Sequence, residues 1–295
     1  MHSLDSFVSV LLRRSVVPAT ASTDWPLEAP TADTDLLAAV ATVVTMLDDE
    51  RSVVAALPER LDDHDLTVAT WNLLSLFARP VPQYDTGELV YPVEVRPDES
   101  GASHYSASAD AGGLHTDGSL LAEPPDLGAL LCLSKADEGG ETVLVDARSV
   151  YEHLRDAPPH LLPVVTGEHP FATEDDRDRP RQWGPLMRVD GGEVTTRYLR
   201  KYIVAGWRLT GAPAPELLVE ALDAIDEFAG RASQQQAYPL RRGEVLVWHN
   251  HRHLHGRRAF TERASRRRLV RFYGRRDDSR PVPSAVSAGV GSAVI

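Results

Sequence analysis

Two short stretches hold most of the residues able to do chemistry. In "GGLHTDGSLL", Gly112 to Leu121, His115 and Asp117 are two positions apart, so on an extended segment their side chains point the same way. In "WHNHRHLHGRR", Trp248 to Arg258, histidines recur at every second position, as His249, His251, His253 and His255. A His and a carboxylate side by side make two thirds of a facial triad, in which two His and one carboxylate cover one face of an iron(II) ion and leave three positions open. The third ligand would be a distant His. A His-x-Asp pair by itself is a weak signal and reads first as a loop His bonded to its neighbour. The histidine run has three readings of its own: a metal site, a solvated basic strand, or a site in which one histidine matters. On one continuous strand all four would share a face. A zinc site built from that cluster alone would leave the His-x-Asp pair without a role.

Four stretches in order narrow the choice: "LHTDGSLLAEPPDLGALLCL", "ADEGGETVLVDARSVYEHL", "RRGEVLVWHNHRHLHGRRAF" and "RRRLVRFYG". Together, over about Val68 to Tyr273, they resemble the taurine dioxygenase and γ-butyrobetaine hydroxylase family of iron(II)/2-oxoglutarate-dependent oxygenases, also called clavaminate synthase-like. The resemblance implies a turn at about Asn250 to Arg252 and puts His255 on the ligand position, so that His115, Asp117 and His255 hold Fe(II). It implies that Thr142, in "GGET", and Arg267 bind the distal carboxylate of 2-oxoglutarate. A planar guanidinium matches a carboxylate bidentately, which suits arginine to that task. Arg271 is four positions on and faces the same way along a strand. The resemblance gives it an acidic group of the primary substrate, or a share in holding the co-substrate. If Arg271 points inward, strand parity excludes Arg268 from the co-substrate role, while Arg266 remains the alternative to Arg267. His253 is expected on the inward face beside His255. Relatives that halogenate carry a small residue at the Asp117 position, so the implied reaction is hydroxylation, or desaturation or ring closure by the same route. O2 and 2-oxoglutarate are the implied co-substrates, with succinate and carbon dioxide as products. The primary substrate is expected to be a small amino acid or other carboxylate-bearing metabolite, with Tyr105, Ser106, Ser108 and Trp183 as further pocket candidates.

The elements that must position these residues are legible in outline. Residues 32–60 read as one or two amphipathic helices, and "TVATWNLLSLFARP" as another, stopped by Pro80. From Tyr84 onward short β-branched runs alternate with Gly, Pro and Asp: "ELVYPVEVRP", "GALLCLSKA", "ETVLVDA", "EVTTRYL" and "EVLVWH". "SVYEHLRDAP" and "PELLVEALDAIDEFAGRAS" interrupt them as helices. This is an α+β pattern, mainly β, in a single domain spanning 1–295. A helical part covers about 1–83, a core with helical insertions covers 84–276, and a flexible tail covers 280–295. The resemblance implies that the core is a double-stranded β-helix, or jelly roll, with flanking helices. The polar, proline-broken span Glu168 to Asp190 is expected to be a lid.

Composition excludes some functions. The net charge of −12 over 295 residues argues against wholesale binding of nucleic acid or an anionic membrane. No apolar run is long enough to cross a bilayer. The order of charge and apolar residues near the N-terminus is wrong for a signal peptide. The one cysteine, Cys132, lies in an apolar run and reads as a core residue of a cytoplasmic protein. A homo-oligomer, and an acidic carrier protein presenting the substrate to surface arginines, stay open as partners. Two other classes also stay open: a zinc hydrolase using the same ligands, and a jelly roll that binds without catalysing.

Overall fold

Ten of the short apolar runs build two facing antiparallel sheets in a computed structural model that describes residues 34–83, 87–95, 109–156, 158–263 and 266–276. The strands are β1 (Ser52–Ala56), β2 (Ala78–Pro80), β3 (Val90–Glu94), β4 (Gly112–His115), β5 (Leu127–Ser134), β6 (Thr142–Asp146), β7 (Gln236–Tyr238), β8 (Glu244–His249), β9 (His253–Arg257) and β10 (Arg268–Arg276). The first sheet runs β1-β8-β5-β10-β2, with β3 also pairing β10; the second runs β7-β6-β9-β4. The turn at 250–252 falls where expected. It carries the chain from β8 in the first sheet to β9 in the second, so the histidine run is split between sheets.

Five main helices accompany the sheets: α1 (Thr34–Glu50), α2 (Asp63–Ser75), α3 (Ala147–Asp156), α4 (Arg200–Leu209) and α5 (Glu216–Gly230). Helix α2 starts at Asp62, whose carboxylate accepts the Asp65 N–H at 2.8 Å, a standard N-cap. The central strand β5 is buried along its first six residues. Leu127, Ala129 and Leu131 pack with residues of α1 and α2 on one face. Leu130 and Cys132 pack with Leu144, Leu246, Trp248 and Leu269 on the other. Covering both faces is what permits an unbroken apolar strand instead of an alternating one. Trp248 fits because Gly128 opposes it: a Cβ there would lie 2.3 Å from the indole.

Three expectations change. "SVVAA", read as part of a helix, is strand β1, because it pairs with β8 along the sheet edge. That partner lies almost two hundred positions away, so no local window reveals it. With β1 and β2, the first 83 positions contribute strands as well as helices. Helix α4 was not anticipated. The 168–190 span is not a bare loop: His169–Phe171 pairs with Gln182–Gly184, and Met187–Asp190 pairs with Glu193–Thr196. Phe171, Leu186 and Met187 anchor it in the core.

Candidate metal centre and its cavity

His115 ends β4 and sits directly across from His255 on β9. Their rings lie 4.2 Å apart. Asp117 follows two residues later and turns back between them, with its oxygens 3.8 Å from His115 Nε2 and 3.2 Å from His255 Nε2. One ligand atom from each residue lies within 4.8 Å of the others, and among the described residues this is the one group of three or more His, Cys, Asp or Glu so arranged. The ladder between β4 and β9 shifts register between His255 and Arg257, an irregularity of the kind that re-aims a side chain beside a site.

The protonation states suit a cation. His115 Nδ1 lies 2.8 Å from the Gly113 carbonyl, which makes it the N–H and leaves the Nε2 lone pair facing Asp117. Burial, then the neighbouring His255, lowers the His115 pKa to about 4, so the ring is neutral at pH 7. Burial pushes the Asp117 carboxyl up, but His255, Arg271 and His115 outweigh it and hold the group ionised. Asp117 Oδ2 is buried without a hydrogen-bond partner. An ionised, buried, unpartnered oxygen between two imidazoles is costly as it stands and fits a divalent ion.

Asn250 fixes this geometry and was not singled out in the sequence. It is fully buried. Its Oδ1 accepts the Asp117 N–H at 2.8 Å, and its Nδ2 donates to the carbonyls of Asp117 (3.0 Å) and Pro125 (2.9 Å). Thr116 is clamped too. Its N–H donates to the Tyr198 carbonyl at 2.7 Å, and its hydroxyl accepts the Tyr198 N–H at 2.9 Å. The only sequence signal for Asn250 was a turn-forming residue between two strands.

The centre opens into a cavity of about 400 Å³, within the usual range for a small-molecule site. On β10 and the residue before it, Arg267, Leu269, Arg271 and Tyr273 alternate into this space. Arg267 is 4% exposed, while Arg266 is exposed and Arg268 turns outward to Asp63. Arg267 Nε donates to the Gly140 carbonyl at 3.2 Å. Gly140 has φ +77°, and a Cβ there would meet that guanidinium, which accounts for "GGET". Burial, then the charge of Arg257, lowers the Arg267 pKa to about 10, and it remains a cation. Thr142 is buried in the same wall.

Arg271 reaches toward the centre, 3.5 Å from Asp117. Its Nε donates to Gln83 Oε1 at 2.8 Å, and its guanidinium lies near the rings of Tyr91 and Tyr273. Gln83 in turn donates to the carbonyls of Leu89 and Arg271. Nothing in the sequence flagged it.

The other expected residues scatter. His249 lies near Asp48 at 3.7 Å and His251 near Asp126 at 3.3 Å, both away from the triad. His253 is buried against the His249 carbonyl and is not in the cavity wall. Trp183 is 49% exposed and packs edge-on to Trp207. Tyr105, Ser106, Ser108 and the tail lie outside the described residues. From the 168–190 span, Thr173 and Arg181 line the cavity mouth with Lys201 and Tyr202. Cys132 is a core residue whose thiol burial pushes up to about 11.

A family model described as "Taurine catabolism dioxygenase TauD, TfdA family" matches residues 35–273. Among curated proteins, the chain is 27% identical to FR-33289 synthase of Streptomyces rubellomurinus, covering 56% of this chain and 51% of that protein. It is 32% identical to a uridine-5'-phosphate dioxygenase of a Streptomyces species, covering 55% and 61%. The chain thus spans between half and two thirds of the length of these relatives. Among solved structures, asparagine oxygenase in complex with Fe(II), 2S,3S-3-hydroxyasparagine and succinate aligns with a TM-score of 0.62 at 18% identity, covering 92% of this chain and 89% of that one. The non-haem iron oxygenase OrfP, as a D157A mutant with (3S)-hydroxy-L-Arg, aligns with a TM-score of 0.66 at 17% identity, covering 93% and 92%. The shared fold is mixed, mostly sheet.

Proposed function

Because the chain belongs to the TauD/TfdA family of dioxygenases, we propose that it is an iron(II)- and 2-oxoglutarate-dependent oxygenase that hydroxylates an unactivated C–H bond of a small anionic metabolite. The two sheets are read as a double-stranded β-helix with the metal between them. The observation that carries the proposal is the ionised, buried Asp117 between two His side chains at the base of a cavity, one of its oxygens without a hydrogen bond, with a buried Arg267 in the same wall that forms no ion pair with a described carboxylate.

His115, Asp117 and His255 would hold Fe(II), which supplies the activation of O2 together with the oxidative decarboxylation of 2-oxoglutarate. The balance is R–H, O2 and 2-oxoglutarate to R–OH, succinate and carbon dioxide. The chain's own residues bind, orient and exclude water. Arg267 and Thr142 hold the distal carboxylate of the co-substrate. Asn250 holds Asp117 in place. Trp248, Leu130 and Leu269 keep the wall apolar, which strengthens every charge interaction inside it.

Arg271 and Lys201, with Arg181 already shared with Asp176, favour a substrate bearing a carboxylate or phosphate. Among the described lining residues, Asp117 is the one acid. The name of one relative, a uridine-5'-phosphate dioxygenase, points to a nucleotide, and the neighbours' ligands to amino acids. The cationic lining favours the more anionic of these classes. The single buried thiol is compatible with a cytoplasmic setting.

The test is anaerobic titration with Fe(II) and 2-oxoglutarate, followed by a succinate-release screen over amino acids, nucleotides and other small phosphates. Iron-dependent 2-oxoglutarate binding and substrate-stimulated succinate formation are expected. Hydrolysis supported by zinc without 2-oxoglutarate would replace this reading with a zinc hydrolase. Ligand binding with no turnover under any condition would replace it with a binding protein.

A further inference from the structure

We propose that Arg257 is a second cationic arm of the co-substrate subsite, gripping the distal carboxylate of 2-oxoglutarate together with Arg267. The inference rests on the co-substrate reading above and adds a residue that reading does not use. Arg257 lies two positions after His255 on β9, so strand alternation turns both side chains to the same, inner face. Across the ladder its partner is Thr142, already in the wall beside Arg267. The guanidinium carbons of Arg257 and Arg267 lie 4.9 and 5.3 Å from the centre of the Phe260 ring, and both residues line the cavity.

Acids lie near both cations, Asp110 by Arg257 and Glu262 and Glu141 by Arg267, but none of the described ones makes ion-pair contact. Arg257 donates from one terminal nitrogen to the Asp110 carbonyl, and its Nε is buried with no partner. Arg267 has the Gly140 carbonyl through its Nε. Among the described residues, neither guanidinium forms an ion pair with a carboxylate. Both guanidiniums are partly or fully buried and near enough for the charge of Arg257 to lower the Arg267 pKa, so they repel each other and lose hydration. An arrangement of that kind is stabilised by an anion shared between them, and a carboxylate can accept from two guanidinium forks at once. The alternative role for Arg257 is structural, tying the segment at 109–110 to β9.

Titrations of the anaerobic, iron(II)-loaded protein separate the two roles, with bound 2-oxo acid read by calorimetry. The ligands are 2-oxoglutarate and 2-oxovalerate, a 2-oxo acid of the same chain length without the distal carboxylate. For Arg257→Gln the expected result is about tenfold weaker 2-oxoglutarate binding, the loss of about 1.4 kcal/mol, with 2-oxovalerate binding unchanged. Arg257→Lys should recover part of the loss, since charge returns without the fork. Equal weakening of both ligands, or unchanged 2-oxoglutarate affinity, would overturn the proposal and leave Arg257 as a structural anchor. A wild-type protein that binds 2-oxoglutarate no better than 2-oxovalerate would overturn the co-substrate reading itself, and this inference with it.

Discussion

At the deep end of the cavity, His255 and Arg257 lie on β9, a strand hydrogen-bonded on both sides, and Thr142 lies on β6, which is held the same way. At the mouth, Thr173 and Arg181 come from the connection between two three-residue strands, and Lys201 and Tyr202 from the first turn of α4. The deep residues are mostly buried, and Lys201 is exposed. Arg181 is itself paired with Asp176 at 2.8 Å. The contrast teaches a division of labour. Chemistry that tolerates little displacement is mounted on paired strands, while the groups that would meet a variable substrate stand on short hairpins and a helix end.

The largest effects should come from breaking the deep end. His115→Ala, Asp117→Ala and His255→Ala should each reduce succinate formation to background, while His249→Ala and His251→Ala keep iron binding. Near-normal turnover in His255→Ala would remove the metal centre from this place. Next comes the clamp. Asn250→Ala leaves the ligands intact but frees Asp117, and metal affinity should fall about 10–100-fold, as for other residues that orient ligands. Iron titration of the folded variant, checked by circular dichroism, measures it, and unchanged affinity would show that the loop holds itself.

Arg267→Ala should raise the KM for 2-oxoglutarate about tenfold or more, from the loss of a charge-assisted pair. The mouth should respond differently. Arg181→Ala and Lys201→Ala should weaken primary substrate by only a few fold, about 0.2–1 kcal/mol for each exposed charge, and leave the 2-oxoglutarate KM alone. If they move the 2-oxoglutarate KM instead, mouth and deep end are not separate sites. Arg271→Ala stands between the two and sharpens the boundary. A loss confined to primary substrate makes Arg271 a substrate residue, and a loss confined to 2-oxoglutarate makes it part of the co-substrate clamp.

The last effect is on stability. His115 and His249 have folded pKa values of about 4 against 6.5 for the free side chain. Between those values the unfolded chain binds protons that the folded chain does not, so this stabilisation is present above pH 6.5 and lost as pH falls toward 4. The Tm of the metal-free protein should therefore drop across that window. His249→Gln, which cannot titrate, should flatten part of the slope. An unchanged slope would mean that His249 is solvated in the folded protein.

Some of this was written into short runs of residues. His-x-Asp, Gly-Gly-x-Thr, His-Gly-Arg and the arginines four apart are local patterns, and the helices at 147–156 and 216–230 follow from apolar spacing within one segment. Parity along β10 separated Arg267 from Arg268 because a strand's faces alternate whatever it packs against. Other features depend on partners far along the chain. "SVVAA" is a strand because β8 lies beside it. Asn250 matters because Asp117, 133 positions away, needs its backbone held. Gln83 matters because Arg271 needs an acceptor. Of four histidines at even spacing, tertiary structure brings His255 beside His115 and Asp117, because it is the one of the four that pairs across β4. Local periodicity records which way a side chain points. Which residue it meets there is settled when the two sheets close on each other, and that is a property of the whole chain.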